Sequence, residues 1–274
     1  MFALFAMALI GIGDAINKKA RQENIPIASY LLIQSPFFLL TILLVVLLST
    51  GIKVSTTDIL YSALGAIFSF AAFTLMLHSL TYGYAGINYA IFRLSFVFSS
   101  AAAIIYWHEK LTTGKFMGIG LAIFALLLFF YRPKSQTILK KSVTSAIFAM
   151  LLNACFQLIL KSSTHVFSSP SSFLLMMSLF FCVMVIIYNI FSGNPQIPRK
   201  TFLYAPVNGM LMALGSLFMI IALSHGNLST VAPIVQLSFL VTLFMAIVFL
   251  NEKIDPIRII GMISAITAII LLGR

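Results

Sequence analysis

Acidic residues are scarce in this chain. Of 274 residues only 6 are Asp or Glu, against 17 Lys or Arg, and charged residues make up 8% of the whole. A polypeptide so poor in charge cannot cover a folded core with a water-compatible surface, which excludes an ordinary soluble domain. Period-two alternation of polar and apolar residues is also missing, which argues against a membrane barrel. The two cysteines, Cys155 and Cys182, lie inside apolar runs, where packing accounts for them, so they carry no information on redox compartment. No nucleotide-binding glycine loop, zinc-ligand spacing or nucleophile elbow occurs, so nothing points to ATP hydrolysis or to an enzyme.

Apolar sequence is what the chain has in quantity. It is 61% hydrophobic with a mean hydropathy of +1.09. The apolar runs are roughly 18–23 residues long, the length of a helix that crosses a bilayer. Backbone amides in hydrocarbon must pair internally, and helices do this within one segment. The expected fold class is therefore an all-α membrane protein. Ten transmembrane helices can be placed, at about 2–17, 28–49, 58–80, 84–106, 111–131, 142–160, 171–192, 203–224, 227–250 and 257–273. The first begins at Phe2 without a preceding basic region and is expected to be a retained helix rather than a signal peptide.

The net charge of +11 could suggest nucleic acid as a partner. The cations, however, sit in short loops where they snorkel to phospholipid headgroups, so the bilayer and not nucleic acid is the expected partner.

The two halves repeat one plan. Ile91 to Phe96 read IFRLSF and Ile234 to Phe239 read IVQLSF, 143 positions later. At the same ungapped offset Phe5-Ala6-Met7 recurs as Phe148-Ala149-Met150, Lys18 as Lys161, Ser35 as Ser178, Glu109-Lys110 as Glu252-Lys253 and Gly118 as Gly261. The polar stretch from Arg132 to Lys141 is the natural seam, which gives repeats of 1–134 and 135–274. Five helices per half is an odd number, so the second half enters the membrane from the opposite side. The expected architecture is two inverted five-helix repeats, the plan of secondary transporters with a site between the halves.

Loops after odd-numbered helices carry eleven cations and the opposite side five, which by the positive-inside rule would put both termini outside.

The ends of the fourth and ninth helices carry a resemblance. Ile104-Ile-Tyr-Trp-His-Glu109-Lys110 precedes Gly118 and an apolar run, and Ile247-Val-Phe-Leu-Asn-Glu252-Lys253 precedes Gly261 and another. This pattern resembles the ten-helix EamA-type members of the drug/metabolite transporter superfamily, over essentially the full chain. Pro233 also resembles a family proline, whereas Ala90 stands at the matching position of the first half. The resemblance implies transport of small organic molecules and cytoplasmic termini, so it disagrees with the charge count on orientation. Arg93 is not part of the family signature.

Ionisable groups at membrane depth cost about 2.5–3.5 kcal/mol even on insertion scales, so they mark function. Here they are Asp14 and Arg93, which could face one wet cavity and bind opposite ends of a zwitterion, or form a structural ion pair. Their counterparts at the repeat offset are Gln157 and Gln236, polar in both halves. Gln34, His78, Asn88, Tyr89 and Asn153 complete the candidate substrate-binding set. His78 could carry a coupling proton, or make a plain hydrogen bond. Tyr82, Tyr84 and Tyr89 could wall a pocket or form an interfacial belt. Glu109 and Glu252 read as structural contacts at helix ends rather than as catalytic carboxylates.

The expected protein is a secondary transporter of a small polar metabolite, such as an amino acid or related zwitterion. It would work by alternating access in a bacterial-type cytoplasmic membrane, with its cavity lined by helices one, three, four, six, eight and nine. The alternatives are a lipid-linked substrate flippase and a non-transporting assembly subunit.

Overall fold

The computed structural model describes residues 1–49, 52, 54–82, 85–130, 140–165, 169–193, 195–250 and 256–272. The greater part of the seam between the halves, Tyr84, the Tyr82 side chain and Glu252-Lys253 lie outside them. Every described element is a helix. The first half contains α1 (Phe2–Gln22), α2 (Ile27–Leu48), α3 (Thr56–Tyr82), α4 (Ala85–Arg93), α5 (Ser95–Tyr106) and α6 (Thr113–Phe130). The second contains α7 (Lys140–Ser163), α8 (Pro170–Phe191), α9 (Thr201–His225), α10 (Leu228–Gln236), α11 (Phe239–Leu250) and α12 (Pro256–Leu272).

These twelve helices make ten spans, because the fourth and ninth spans are each interrupted. The sequence reading made both continuous. The breaks fall at Leu94 and at Leu237, which are themselves 143 positions apart. At each, i→i−3 bonds appear: Leu94 N–H donates to Ile91 O at 3.1 Å, and Leu237 N–H is shared between Ile234 O at 3.2 Å and Pro233 O at 3.1 Å. Val97 and Leu240 repeat the pattern one step on, each at 3.0 Å. Pro233, inside α10, lacks a backbone N–H to donate, but the first half has Ala90 there, so proline alone does not cause the interruption. Helix α1 also runs on past residue 17 to Gln22, carrying Lys18, Lys19 and Arg21 to the membrane surface.

Among the described residues, five helices, α2, α3, α7, α8 and α9, are long and apolar enough to cross a membrane unaided. At 1.5 Å rise per residue, the 22 residues of α2 or α8 reach about 33 Å, enough for the hydrocarbon core. Their outward faces meet lipid. Leu40, Leu44 and Leu47 on α2 are exposed, and so are their repeat partners Val183, Ile187 and Ile190 on α8.

The packing pattern maps onto itself when the halves are exchanged. Helix α9 packs against α1 and α2, and α3 packs against α7 and α8, so each half lends its third span to the other half's first two. Helices α2 and α8 face each other across the axis, and so do α6 and α12. With five spans per half this axis lies in the membrane plane, and the protein is an all-α membrane protein of two inverted five-helix repeats.

At the turn between α1 and α2, Glu23 pairs with Lys200 and, at 3.6 Å, with Lys19. The hydrogen bond from Lys200, and then its charge, hold the Glu23 carboxyl below the usual carboxylate range. A depressed folded-state value stabilises the fold above the unfolded value and is lost as pH falls through the folded one. The thermal-stability gap between wild type and Glu23→Gln should therefore be present at neutral pH and close on acidification below the ordinary carboxylate range. It should also shrink in high salt, since the pair is solvent-exposed.

Candidate functional site

The interrupted spans place two polar residues at the centre. Arg93 ends α4 and Gln236 ends α10, and both side chains turn inward at the breaks. Arg93 Nη1 donates to Gln236 Oε1 at 2.7 Å, so repeat-related residues touch each other across the axis. Arg93 Nη2 donates to the Asp14 carboxylate and forms an ion pair with it. Both partners are buried, Asp14 5% and Arg93 4% exposed. A guanidinium suits this position because its planar fork serves two acceptors from one side chain. Mutual neutralisation is what makes either charge tolerable here.

Around this pair lies a cavity of about 180 Å³. Its polar wall includes Asp14, Gln34, Ser35, Arg93, Asn153, Gln157, Ser178 and Gln236, and its apolar wall includes Phe38, Phe73, Phe92, Phe156, Phe181 and Met177. Most lining residues occur as repeat pairs, such as Ser35 with Ser178 and Phe38 with Phe181, so the cavity sits on the pseudo-twofold axis. Helices α1, α3, α4, α7, α9 and α10 contribute, as the sequence pattern suggested, and none of the described residues of α5, α6, α11 and α12 does. The correction concerns the second and seventh spans. Helices α2 and α8 also line the cavity, because they face each other across the axis.

The candidate residues fall into distinct groups. Asp14, Gln34, Arg93, Asn153, Gln157 and Gln236 line the cavity together. Asn153 Nδ2 donates to Ser95 Oγ at 2.7 Å, Gln157 Nε2 donates to the same oxygen at 3.1 Å, and Ser99 Oγ donates to Gln157 Oε1 at 2.6 Å. Those two amides are thus committed to tying α7 to α5. Asn88 is buried but does not line the cavity; its Nδ2 donates to Ser79 O at 2.7 Å and to Ser142 Oγ at 2.8 Å, joining α4 to α3 and α7. Tyr89 packs against the Tyr30 cluster beside the cavity. His78 is exposed near Lys140, Lys141, Thr144 and Ser145, away from the central cavity.

Residues not singled out in the sequence form a second buried network next to Asp14. Tyr30 OH donates to Asn17 Oδ1 at 2.8 Å, and Asn208 Nδ2 donates to that oxygen at 2.6 Å and to Tyr30 OH at 2.7 Å. Asn17 lies three residues after Asp14 and hence on the same helix face, which was a readable signal. Tyr30 and Asn208 gave none, since their repeat partners are Phe173 and Gly65.

Glu109 is a cap. Its Oε1 accepts from Leu228 N–H at 2.8 Å and its Oε2 from Ser229 N–H at 3.0 Å, at the first turn of α10. Lys161 Nζ donates to Leu223 O at 3.0 Å and Gly226 O at 2.8 Å, at the end of α9. An anion on the amides and a cation on the carbonyls match the two helix dipoles and fix the α9–α10 joint. Glu109→Ala should therefore lower thermal stability by about 1–2 kcal/mol through loss of a helix cap. Glu109→Gln should restore only part of that, since an amide has one oxygen to accept with. Thermal unfolding of the two variants in detergent checks the order.

Comparisons with known proteins agree with this architecture. A crystallographically solved protein superposes with a TM-score of 0.77 at 9% identity, covering 97% of this chain and 95% of that one, a likeness of fold alone. An uncharacterized protein of Methanocaldococcus jannaschii is 34% identical over 75 residues, 27% of this chain. This chain spans 55% of that relative's length. The profile of the EamA-like transporter family matches residues 1–131 and again 140–274, one match for each inverted repeat. With nearly every residue covered by the two matches, the chain belongs to the EamA-like transporter family.

Proposed function

We propose that this protein is a secondary transporter that moves a small polar organic metabolite, such as an amino acid or related zwitterion, by alternating access between its halves. The observation that carries this reading is the Arg93–Gln236 contact between repeat-related residues beside a buried carboxylate. A site on the pseudo-twofold axis meets an equivalent surface from either half. If the halves exchange conformations, the same site opens to the other side of the membrane. The interruptions at Leu94 and Leu237 are the natural joints for such an exchange, because there i→i−3 bonds intrude on the i→i−4 ladder. The cavity is smaller than the roughly 300–1,000 Å³ of drug-sized pockets, which favours a small metabolite over a lipid-linked substrate. The setting we propose is a bacterial-type cytoplasmic membrane.

Uptake of radiolabelled amino acids, organic cations and organic anions into proteoliposomes tests this reading. Protein-dependent movement of at least one organic solute, abolished in an Arg93 variant, is the expected result. No movement above empty liposomes across the three classes would defeat it.

A further inference from the structure

The acidic residues of the described chain are all engaged: Asp14 with Arg93, Glu23 with Lys200, Asp58 with the Ser55 amide, and Glu109 with the amides of Leu228 and Ser229. Lys140 and Lys141, at the start of α7, have no carboxylate partner among the described residues. Both are exposed, and both line a pocket of about 390 Å³ with Thr144 and Ser145 of α7 and His78 near the end of α3. Thr144 Oγ1 is committed to Lys140 O at 2.9 Å. No described acidic residue lines the pocket, so it offers two ammonium groups, an imidazole and the Ser145 hydroxyl to whatever enters. The chemistry selects an anion with several acceptor oxygens.

The two walls of the pocket are pinned together by buried neighbours. Ser79 follows His78 and Ser142 follows Lys141 in the chain. Ser142 Oγ donates to Ser79 O at 3.0 Å, and Asn88 Nδ2 donates to Ser79 O at 2.7 Å and Ser142 Oγ at 2.8 Å. The spacing of the cations is thus fixed by side chains of both halves that do not use the cations themselves. Toward the membrane centre the same face of α7 turns apolar. Ile147, Phe148 and Leu151 follow Thr144 at helical spacing and are 41%, 57% and 40% exposed. Leu151 lies about 16 Å along the helix axis from Lys140, at hydrocarbon depth. A cationic pocket above an exposed apolar strip matches an amphiphile with an anionic head. The symmetric plan does not require it, since exchange of the halves maps His78 to Ile221, Thr144 to Met1 and Ser145 to Phe2.

We propose that this pocket binds the phosphate of one anionic phospholipid, in the leaflet on that side of the membrane, with an acyl chain laid along Ile147, Phe148 and Leu151. Lys140 and Lys141 neutralise the phosphodiester, and His78 and Ser145 face its oxygens. A phosphatidylcholine headgroup carries the same phosphate with a cation of its own, which the lysines repel, so net-negative headgroups are preferred. Because His78 belongs to the first half and the lysines to the second, the lipid bridges the two repeats beside their seam. The proposal does not depend on which solute the central cavity carries.

Native mass spectrometry of the whole chain in detergent tests it, with equimolar phosphatidylglycerol and phosphatidylcholine of identical acyl chains. One lysine beside an anionic headgroup is worth roughly fivefold in affinity. Wild type should therefore retain phosphatidylglycerol over phosphatidylcholine by at least that factor, and Lys140→Gln and Lys141→Gln should each cut the preference several-fold. Arg199→Gln removes an exposed cation from the same side of the membrane but outside the pocket, and should leave the preference unchanged. Glycerol 3-phosphate, an anion without acyl chains, should not displace the lipid even in large excess. Equal retention of the two lipids by wild type would overturn the proposal, and needs no variant to fold. A preference untouched by either lysine variant would also overturn it. So would an equal loss in Arg199→Gln, the mark of diffuse attraction to cationic loops. Displacement by glycerol 3-phosphate at concentrations near that of the lipid would assign the pocket to a free phosphate and sink the lipid site.

Discussion

Arg93→Gln should abolish transport and lower stability by about 3–5 kcal/mol, because it leaves the Asp14 carboxylate buried without its counter-ion. Asp14→Gln should destabilise by a similar amount, for the mirror-image reason. The double variant, Asp14→Gln with Arg93→Gln, reproduces the Gln157 and Gln236 pair already present in the second repeat. It should recover most of the lost stability, since no lone charge remains. Transport should stay absent, because the guanidinium is gone from the cavity wall. Arg93→Lys keeps the charge but not the fork that reaches both Asp14 and Gln236, so it should fold better than Arg93→Gln and still transport poorly. A thermodynamic cycle over thermal stability, beside uptake assays, gives the coupling directly. Additive effects of the two single changes would mean the pair is not an energetic unit. Transport by the double variant would assign the charges to folding alone.

Gly209→Val should have the next largest effect, on the wall rather than the chemistry. A Cβ at Gly209 would stand 2.5 Å from the Gln34 carbonyl oxygen and 3.0 Å from Phe37 Cβ. The first is backbone and cannot rotate away, so α2 must move off α9. Overpacking of this kind costs about 1–3 kcal/mol or more. Because Gln34 and Phe38 line the cavity from this stretch of α2, ligand affinity should fall along with thermal stability. The repeat partner of Gly209 is Ala66, so the close approach belongs to one half and is not a demand of the symmetric plan. Gly120→Ala is the matched control: a Cβ there meets nothing within 4 Å, and stability should be unchanged or slightly raised. Equal behaviour of the two glycine variants would show that the α2–α9 contact is not tight.

The sequence by itself determined the membrane setting, the helical class, the ten spans and their inverted pairing. These depend on properties summed over long windows: hydropathy over some 20 residues, and an ungapped repeat at an offset of 143 positions. Asp14 and Arg93 were legible too, since a charge inside an apolar run is conspicuous whatever surrounds it. Tertiary structure alone decided which polar residues share a wall. Asn88 and Gln34 read alike as polar groups at depth, yet Asn88 turns to Ser79 and Ser142 while Gln34 lines the cavity. His78 is a histidine near a helix end in the sequence, and only packing puts it outside the centre. Glu109 acquires its meaning from the amides of Leu228 and Ser229, 119 and 120 residues away. The interruptions at Leu94 and Leu237 were equally invisible, for LSF reads as unbroken apolar helix. The physical reason is common to all of these. Which span a residue occupies is fixed by local hydropathy, whereas which way it faces and what it binds are fixed by helix rotation and crossing, set by side chains on other helices.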